Sequence, residues 1–308
     1  MRVLCVINAR SGQSGAGIYE TIKAIGHTGA EVTLRHFHGG TTLRDIVRDG
    51  HKFDRVIAAG GDGTVTGVCY ALRGTNVPVL AYPAGTANLL AMNLKIPSDP
   101  QRLASIALGD ITMELDMGEV RIGSPGSLDR RVEGFLVGAG AGFHTSIVEV
   151  ADDLKQSLGV SAYFVGALAN LMPTISKFTL TLDNDKVVRT EGIAVLVLNV
   201  ARLQFDIPLI HHSDPTDGLL DVIVLRTKNA LELLPVVWAA IVDLTTGNYA
   251  DRSPGVEAYV AKHIIVEAEP ALQVQFDGEL LSATTPFEAR VLPGATRLLV
   301  PEELFSQT

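Results

Sequence analysis

Arg55-Val56-Ile57-Ala58-Ala59-Gly60-Gly61-Asp62-Gly63-Thr64 is a short apolar run that breaks into a glycine-rich turn carrying one acid and one hydroxyl. A β-strand of 55–59 followed by such a turn is suited to meet a phosphate. Gly60, Gly61 and Gly63 place no side chain in the way and tolerate φ > 0, so their N–H groups can converge into an anion-binding nest. The stretch from Val65 to Leu72 reads as a helix whose positive end adds to that field. Asp62 suits such a place if Mg²⁺ or a substrate hydroxyl lies between it and the phosphate. The competing reading is an ordinary βα turn.

The neighbouring segments repeat the pattern. Strands are expected at 3–7, 31–37 and 77–81, and helices at 19–26, 42–48, 85–94 and 99–108, the last opening on Asp99-Pro100 as N-cap and first helical residue. Strands alternating with helices imply a parallel sheet covered on both faces. Near residue 111 the pattern changes. Segments 112–122, 131–137, 178–182, 193–200, 219–225, 263–268, 273–276 and 287–292 have β character, with helical stretches at 145–169 and 231–245 between them. The fold expected is an α/β N-terminal domain with a parallel sheet, plus a C-terminal β-rich, sandwich-like domain. The expected division is 1–112 with 296–308 returning, and 113–295.

Of the 308 residues, 47% are apolar and 19% charged, enough for a sizeable core, and the formal net charge is −9. That balance argues against a nucleic-acid partner, which favours a basic face. Cys5 and Cys69 lie in apolar segments and lack zinc spacing, as expected of buried thiols in a reducing compartment. The apolar stretch 230–242 falls short of the roughly 20 residues a spanning helix needs. A cytoplasmic protein with at most peripheral membrane contact is expected.

Two further turns follow expected strands. Asn8-Ala9-Arg10-Ser11-Gly12-Gln13-Ser14-Gly15 is rich in small residues, and Arg10 can pair bidentately with a phosphate. In Pro83-Ala84-Gly85-Thr86-Ala87-Asn88, Gly85 permits close approach and Thr86 or Asn88 can hydrogen-bond a nucleotide; Thr86 as a plain helix cap is the alternative. Three such turns at the C-terminal ends of parallel strands coincide with the place where open α/β sheets bind ligands. The later half supplies acids. Asp214, Asp217 and Asp221 crowd one turn, which suits a hard cation or merely a solvated hairpin. Phe276-Asp277-Gly278-Glu279 is a second acidic turn, and a carboxylate there can take a proton from an acceptor hydroxyl. His144, His211 and His212 read as cleft or surface residues.

Taken in order, Asn8…Ser11-Gly12, Gly60-Gly61-Asp62-Gly63-Thr64, Pro83-Ala84-Gly85-Thr86-Ala87-Asn88, Asp217-Gly218-Leu219-Leu220-Asp221 and Asp277-Gly278-Glu279 resemble the diacylglycerol kinase catalytic-domain family, which includes bacterial lipid kinases and sphingosine kinases. The resemblance implies an active site in the cleft between an α/β nucleotide domain and a β-rich domain. It implies that ATP is bound by Asn8, Arg10, Ser11 and Gly12, by Gly60, Gly61, Asp62, Gly63, Thr64, Val65 and Thr66, and by Gly85, Thr86 and Asn88. Asp277 and Glu279 are the implied catalytic acids of the later half, with Glu279 as proton acceptor, and Asp62 is the acid near the phosphates. Asp214, Asp217 and the Leu219 backbone match a structural Mg²⁺ site. The chain departs from the family pattern at Thr66-Gly67, where an Asn-Glu pair is usual. It departs again at Leu89, where an acid is frequent, and over 200–206, where glycines are expected.

The function expected is therefore an ATP- and Mg²⁺-dependent lipid kinase acting on a hydroxyl of diacylglycerol or a sphingoid-like lipid. It would work peripherally at a membrane surface, and a homodimer is compatible with the sequence. The rival readings are a NAD kinase-like or other small-molecule kinase, and a non-catalytic nucleotide- or lipid-binding regulator.

Overall fold

The computed structural model of the chain describes residues 1–9, 11, 16–38, 40–86, 88–123, 130–142, 173–200, 202–203, 207–208, 214–226, 255–277 and 279–305. The expected helices over 145–169 and 231–245, the segment over 204–206, Arg10, Gly12 and the three histidines named above lie outside those residues.

The first third is the expected α/β unit. Strands β1 (Arg2–Asn8), β2 (Glu31–Phe37), β3 (Arg55–Gly60) and β4 (Val79–Pro83) lie in the order β2-β1-β3-β4, all parallel. The runs of Val, Ile, Leu and Ala in β1, β3 and β4 are buried on both faces, as a parallel sheet between helices requires, while β2 lies partly exposed at the edge. Helices α1 (Ala16–Gly26), α2 (Leu43–Ile46), α3 (Asp62–Leu72), α4 (Leu89–Asn93) and α5 (Pro100–Leu108) fill the connections. Asp99 caps α5 by accepting from the Arg102 amide at 2.8 Å, with Pro100 at the first helical position. Strand β4 begins two residues later than expected, after Pro78, whose ring removes a donor from the ladder.

The rest is antiparallel. Strands β5 (Thr112–Ile122), β6 (Arg131–Phe135), β7 (Gly138–Gly142), β8 (Ser176–Leu182), β9 (Lys186–Gly192) and β10 (Ala194–Leu198) come first. The short strands β11 (Arg202–Leu203) and β12 (Ile207–Pro208) form a separate pair. Then come β13 (Leu220–Leu225), β14 (Val256–Ala261), β15 (His263–Glu269), β16 (Gln273–Phe276), β17 (Glu279–Thr284) and β18 (Phe287–Leu299). A six-stranded sheet of order β14-β13-β10-β7-β16-β17 faces the second half of a ten-stranded sheet, and the two bury one core containing Val120, Phe135, Val195, Val222, Ile264 and Phe287. This is an antiparallel β-sandwich. The glycine-rich 138–142 stretch, which lies outside the expected β segments, is strand β7 at the centre of the six-stranded sheet. The expected segment 287–292 and the start of the returning 296–308 segment belong to one bulged strand, β18, which ends at Leu299.

Strand β18 joins the two halves. It pairs antiparallel with β5 along most of its length and with β15 near its start, and at Leu298 it pairs parallel with Val79 of β4. The parallel sheet therefore runs on, without a break, into one wall of the sandwich.

Candidate active site

The parallel sheet has a switch point. β2 lies on one side of β1 and β3 on the other, so the crevice between the C-terminal ends of β1 and β3 is where such a sheet opens toward a ligand. The registers bring those ends to one edge: Asn8 lies beside Phe37, Ile7 beside Ala59, and Gly60 beside Pro83. The turns after β1, β3 and β4 thus meet along one rim, and their contacts are direct. Asn8 Nδ2 donates to Thr64 Oγ1 at 2.8 Å, and the Ala84 amide donates to the Gly60 carbonyl at 3.1 Å. Gly60, Gly61, Asp62, Gly63, Thr64, Val65 and Thr66 form the end of β3 and the first turns of α3, whose N-terminus faces this rim. Val65, Val68, Cys69 and Leu72 seat α3 on the sheet; burying each of the larger aliphatic side chains contributes about 1.5–3 kcal/mol.

The reason for glycine here differs from the expected one. Gly61 has φ −82°, and neither Gly60, Gly63 nor Gly85 adopts positive φ. Space is what these positions need: a Cβ on Gly85 would stand 2.3 Å from Gly61 Cα. The two turns abut backbone to backbone. Asn88 adopts the left-handed conformation, with φ +50°, and its side chain closes its own turn by accepting from the Gly85 amide and donating to the Gly85 carbonyl, both at 2.8 Å. Thr86 does not cap α4. Asp62 does so from the neighbouring turn: its carboxylate accepts from the amides of Leu89 and Leu90 at 3.0 and 2.9 Å. Burial raises the Asp62 pKa, and those amides pull it back down.

The acidic turn from the far end of the chain arrives at the same helix. Thr66 Oγ1 donates to Asp277 Oδ2 at 2.5 Å, across 211 residues of sequence. The other donors to that carboxylate are the amides of Leu136, Val137 and Gly138, at 3.1, 3.0 and 2.9 Å. Burial pushes Asp277 up to about 6, opposed by the Thr66 hydroxyl and the amides, while the nearby Asp62 charge adds to the rise. Asp277 has φ +43°, so its backbone turns sharply between β16 and β17. Glu279 is the first residue of β17, and its Cα faces Phe276 in the ladder. The departure at Thr66 thus has a structural use, because its hydroxyl binds the second acidic turn.

Asp214, Asp217 and Leu219 lie in the turn that leads into β13. Asp214 Oδ1 accepts from the amide and hydroxyl of Thr216 at 2.9 and 2.6 Å, and Asp217 Oδ1 accepts from the Leu219 amide at 2.9 Å. The second oxygens of both acids take no hydrogen bond from the described residues, and an all-oxygen donor set is the kind a hard cation prefers. Among the described residues no three side chains of His, Cys, Asp or Glu gather as a metal cluster. The turn is held from below by Asp116, which the sequence reading missed. Its two oxygens accept from the amides of Gly218 and Gly294, each at 2.7 Å, and Asp116 is 2% exposed. An acid between the apolar residues Leu115 and Met117, both buried in the structure, was the available signal. Asn199, also missed, donates to the carbonyls of Asp116 and Leu136 and so ties this turn's support to the Asp277 pocket.

Cys5 and Cys69 are free, buried thiols raised to about 12 by burial, consistent with inert core residues. Among the described residues no helix is long and apolar enough to cross a membrane.

Comparison with known proteins agrees with this architecture. The sequence pattern of the diacylglycerol kinase catalytic domain matches residues 2–120, and that of the YegS C-terminal NAD kinase beta sandwich-like domain matches residues 138–300. An uncharacterized protein of Synechocystis is 32% identical over 269 residues, covering 83% of this chain and 57% of its own length. The chain thus spans little more than half of that relative. A protein of Mycobacterium tuberculosis named diacylglycerol kinase is 27% identical over 255 residues, which is 80% of this chain and 77% of that one. The crystal structure of a diacylglycerol kinase from Bacillus anthracis superposes with a TM-score of 0.71 at 19% identity, covering 98% of each chain, and so shares the fold. With both patterns in their proper order on the two halves of the fold, this chain belongs to the diacylglycerol kinase catalytic-domain family.

Proposed function

We propose that this chain is an ATP- and Mg²⁺-dependent lipid kinase that phosphorylates a hydroxyl of diacylglycerol or a related lipid. The nucleotide lobe would be 1–112 with 296–308, and the acceptor lobe 113–295. One observation carries the reading: the turns after β1, β3 and β4 share one rim, and the 277–279 turn of the second half is bonded to the helix that begins there. ATP phosphates would lie against the amides of Gly61 to Gly63, beside the turn closed by Gly85 and Asn88, with Asn8 and Ser11 on the β1 side. The charge that develops on the transferring oxygens would meet amides already fixed in place, so no reorganisation is needed in the transition state. Mg²⁺, when bound, neutralises phosphate charge, and Asp214 and Asp217 would hold a second, structural ion.

The roles of the acids divide by their surroundings. Asp277 spends its carboxylate on Thr66 and three amides, and Asp62 spends its own on two amides. Both act as structural anchors in this reading. Glu279 is then assigned the proton. Its carboxylate accepts the acceptor's hydroxyl proton as that oxygen attacks the γ-phosphorus, the bond to the bridging oxygen breaks, and ADP leaves. The reading is tested by incubating the protein with ATP, Mg²⁺ and vesicles containing diacylglycerol or a sphingoid base. Labelled phospholipid is expected, and Glu279→Gln is expected to lower turnover at least 100-fold with ATP affinity unchanged. Transfer to a water-soluble acceptor but to no lipid would move the assignment to a small-molecule kinase. ATP binding without any transfer would leave a regulator.

A further inference from the structure

Helix α3 is held to the second half of the chain at two places, and the phosphate-binding reading uses only one. Thr66 and Tyr70 are four residues apart and share a face of the helix. Thr66 bonds Asp277, as described. Tyr70 Oη donates to Glu119 Oε2 of β5 at 2.7 Å. Glu119 is 4% exposed and cannot swing away, because its Oε1 is gripped by two guanidinium groups. Arg121 contacts it through Nε at 3.1 Å and Nη2 at 3.0 Å. Arg290 of β18 does so through Nε at 2.9 Å and Nη2 at 2.8 Å.

Room for this contact is built into the sheet. Gly134 of β6 lies opposite Glu119 in the ladder, and a Cβ there would stand 2.3 Å from Tyr70 Cδ2. The bare backbone of Gly134 lets the ring cross β6 and reach the acid. From above, the Arg73 guanidinium lies 4.0 Å from the ring centroid and donates to the Tyr70 carbonyl at 2.6 Å. A phenol, a fixed acid and a glycine seat are more than packing a helix end requires, since Val65, Val68, Cys69 and Leu72 already bury the helix on the sheet.

We infer that Tyr70 is a positioning residue for phosphoryl transfer: with Glu119 it seats the far end of the phosphate helix on the acceptor lobe, while Thr66 and Asp277 seat the near end. The inference rests on the function proposed above. A helix pinned only at Thr66 can pivot there. Its N-terminal amides lie about 6 Å beyond that point at 1.5 Å per residue, so a tilt of about 5° moves them by about 0.5 Å. Displacements of that size are enough to spoil a catalytic constellation. Binding of ATP tolerates the shift better than transfer does, because transfer also requires the acceptor lobe in register.

Tyr70→Phe removes one hydroxyl and keeps the ring in its seat. The expected result is a kcat for lipid phosphorylation lowered about tenfold, with KM for ATP within about twofold and the melting temperature moved by only a few degrees. Amide hydrogen exchange is expected to quicken over 61–72 and to stay unchanged in β15 and β16. Arg73→Ala, which leaves the hydroxyl in place, is expected to keep wild-type kcat. A Tyr70→Phe enzyme with wild-type kcat and wild-type exchange over 61–72 overturns the inference and leaves the lipid kinase reading intact. A fall in kcat that only tracks loss of folded protein also overturns it. If the wild-type chain phosphorylates no lipid, the kinase reading falls, and the exchange measurement by itself decides whether the hydroxyl holds the helix.

Discussion

Asp277 is where the local chemistry is most unusual. Its folded pKa of about 6 lies above the 3.8 of a free side chain, so between those values the folded chain keeps a proton that the unfolded chain has released. The contribution of this group to stability therefore falls as pH rises from about 4 to about 6, by up to about 3 kcal/mol, and is level above that. Melting temperatures measured across that range should show the slope, and Asp277→Asn should flatten it. A slope that survives in the variant would assign the titration to another group. The sequence reading named Asp277 as a catalytic acid from its motif. No local pattern announces that Thr66 and three amides from 136–138 enclose it, because those donors come from remote parts of the chain.

Among the elements, the turns after β3 and β4 act as a unit. Gly61 and Gly85 touch backbone to backbone, and Asp62 of one turn caps the short helix α4 that follows the other. Gly85→Ala forces a methyl group into Gly61 Cα, with no flexible side chain to give way. The turns must part, and the amide cradle opens. The expected outcome is an ATP affinity at least tenfold weaker by calorimetric titration, about 1.4 kcal/mol, in a protein that still folds. Affinity equal to wild type would show that these turns do not hold the nucleotide. The strand–helix alternation and the three glycine turns were legible because periodicity and turn chemistry are local signals. β7 was not, since Gly-Ala-Gly-Ala-Gly carries no β-propensity and becomes a strand only by pairing with β10 and β16.

Over the whole molecule, the two halves share a sheet and do not stand as separate beads. Leu298, near the end of the chain, is fully buried in the first core beside β4, while the start of the same strand packs in the sandwich. Leu298→Ala is expected to cost about 2–5 kcal/mol, read from urea unfolding followed by circular dichroism, and to shift one common transition. A variant in which residues before 112 melt separately from the sandwich would contradict that coupling. The sequence by itself determined the parallel α/β unit, the positions of its phosphate-type turns, the switch to antiparallel strands and the family, because each is written in neighbouring residues. Tertiary structure alone decided that Asp62 caps a neighbouring turn, that Asp116 holds the acidic turn, and that Thr66 and Tyr70 anchor one helix to acids 211 and 49 residues away. Hydrogen bonds between such distant residues depend on strand order and register, which emerge only when the sheets assemble.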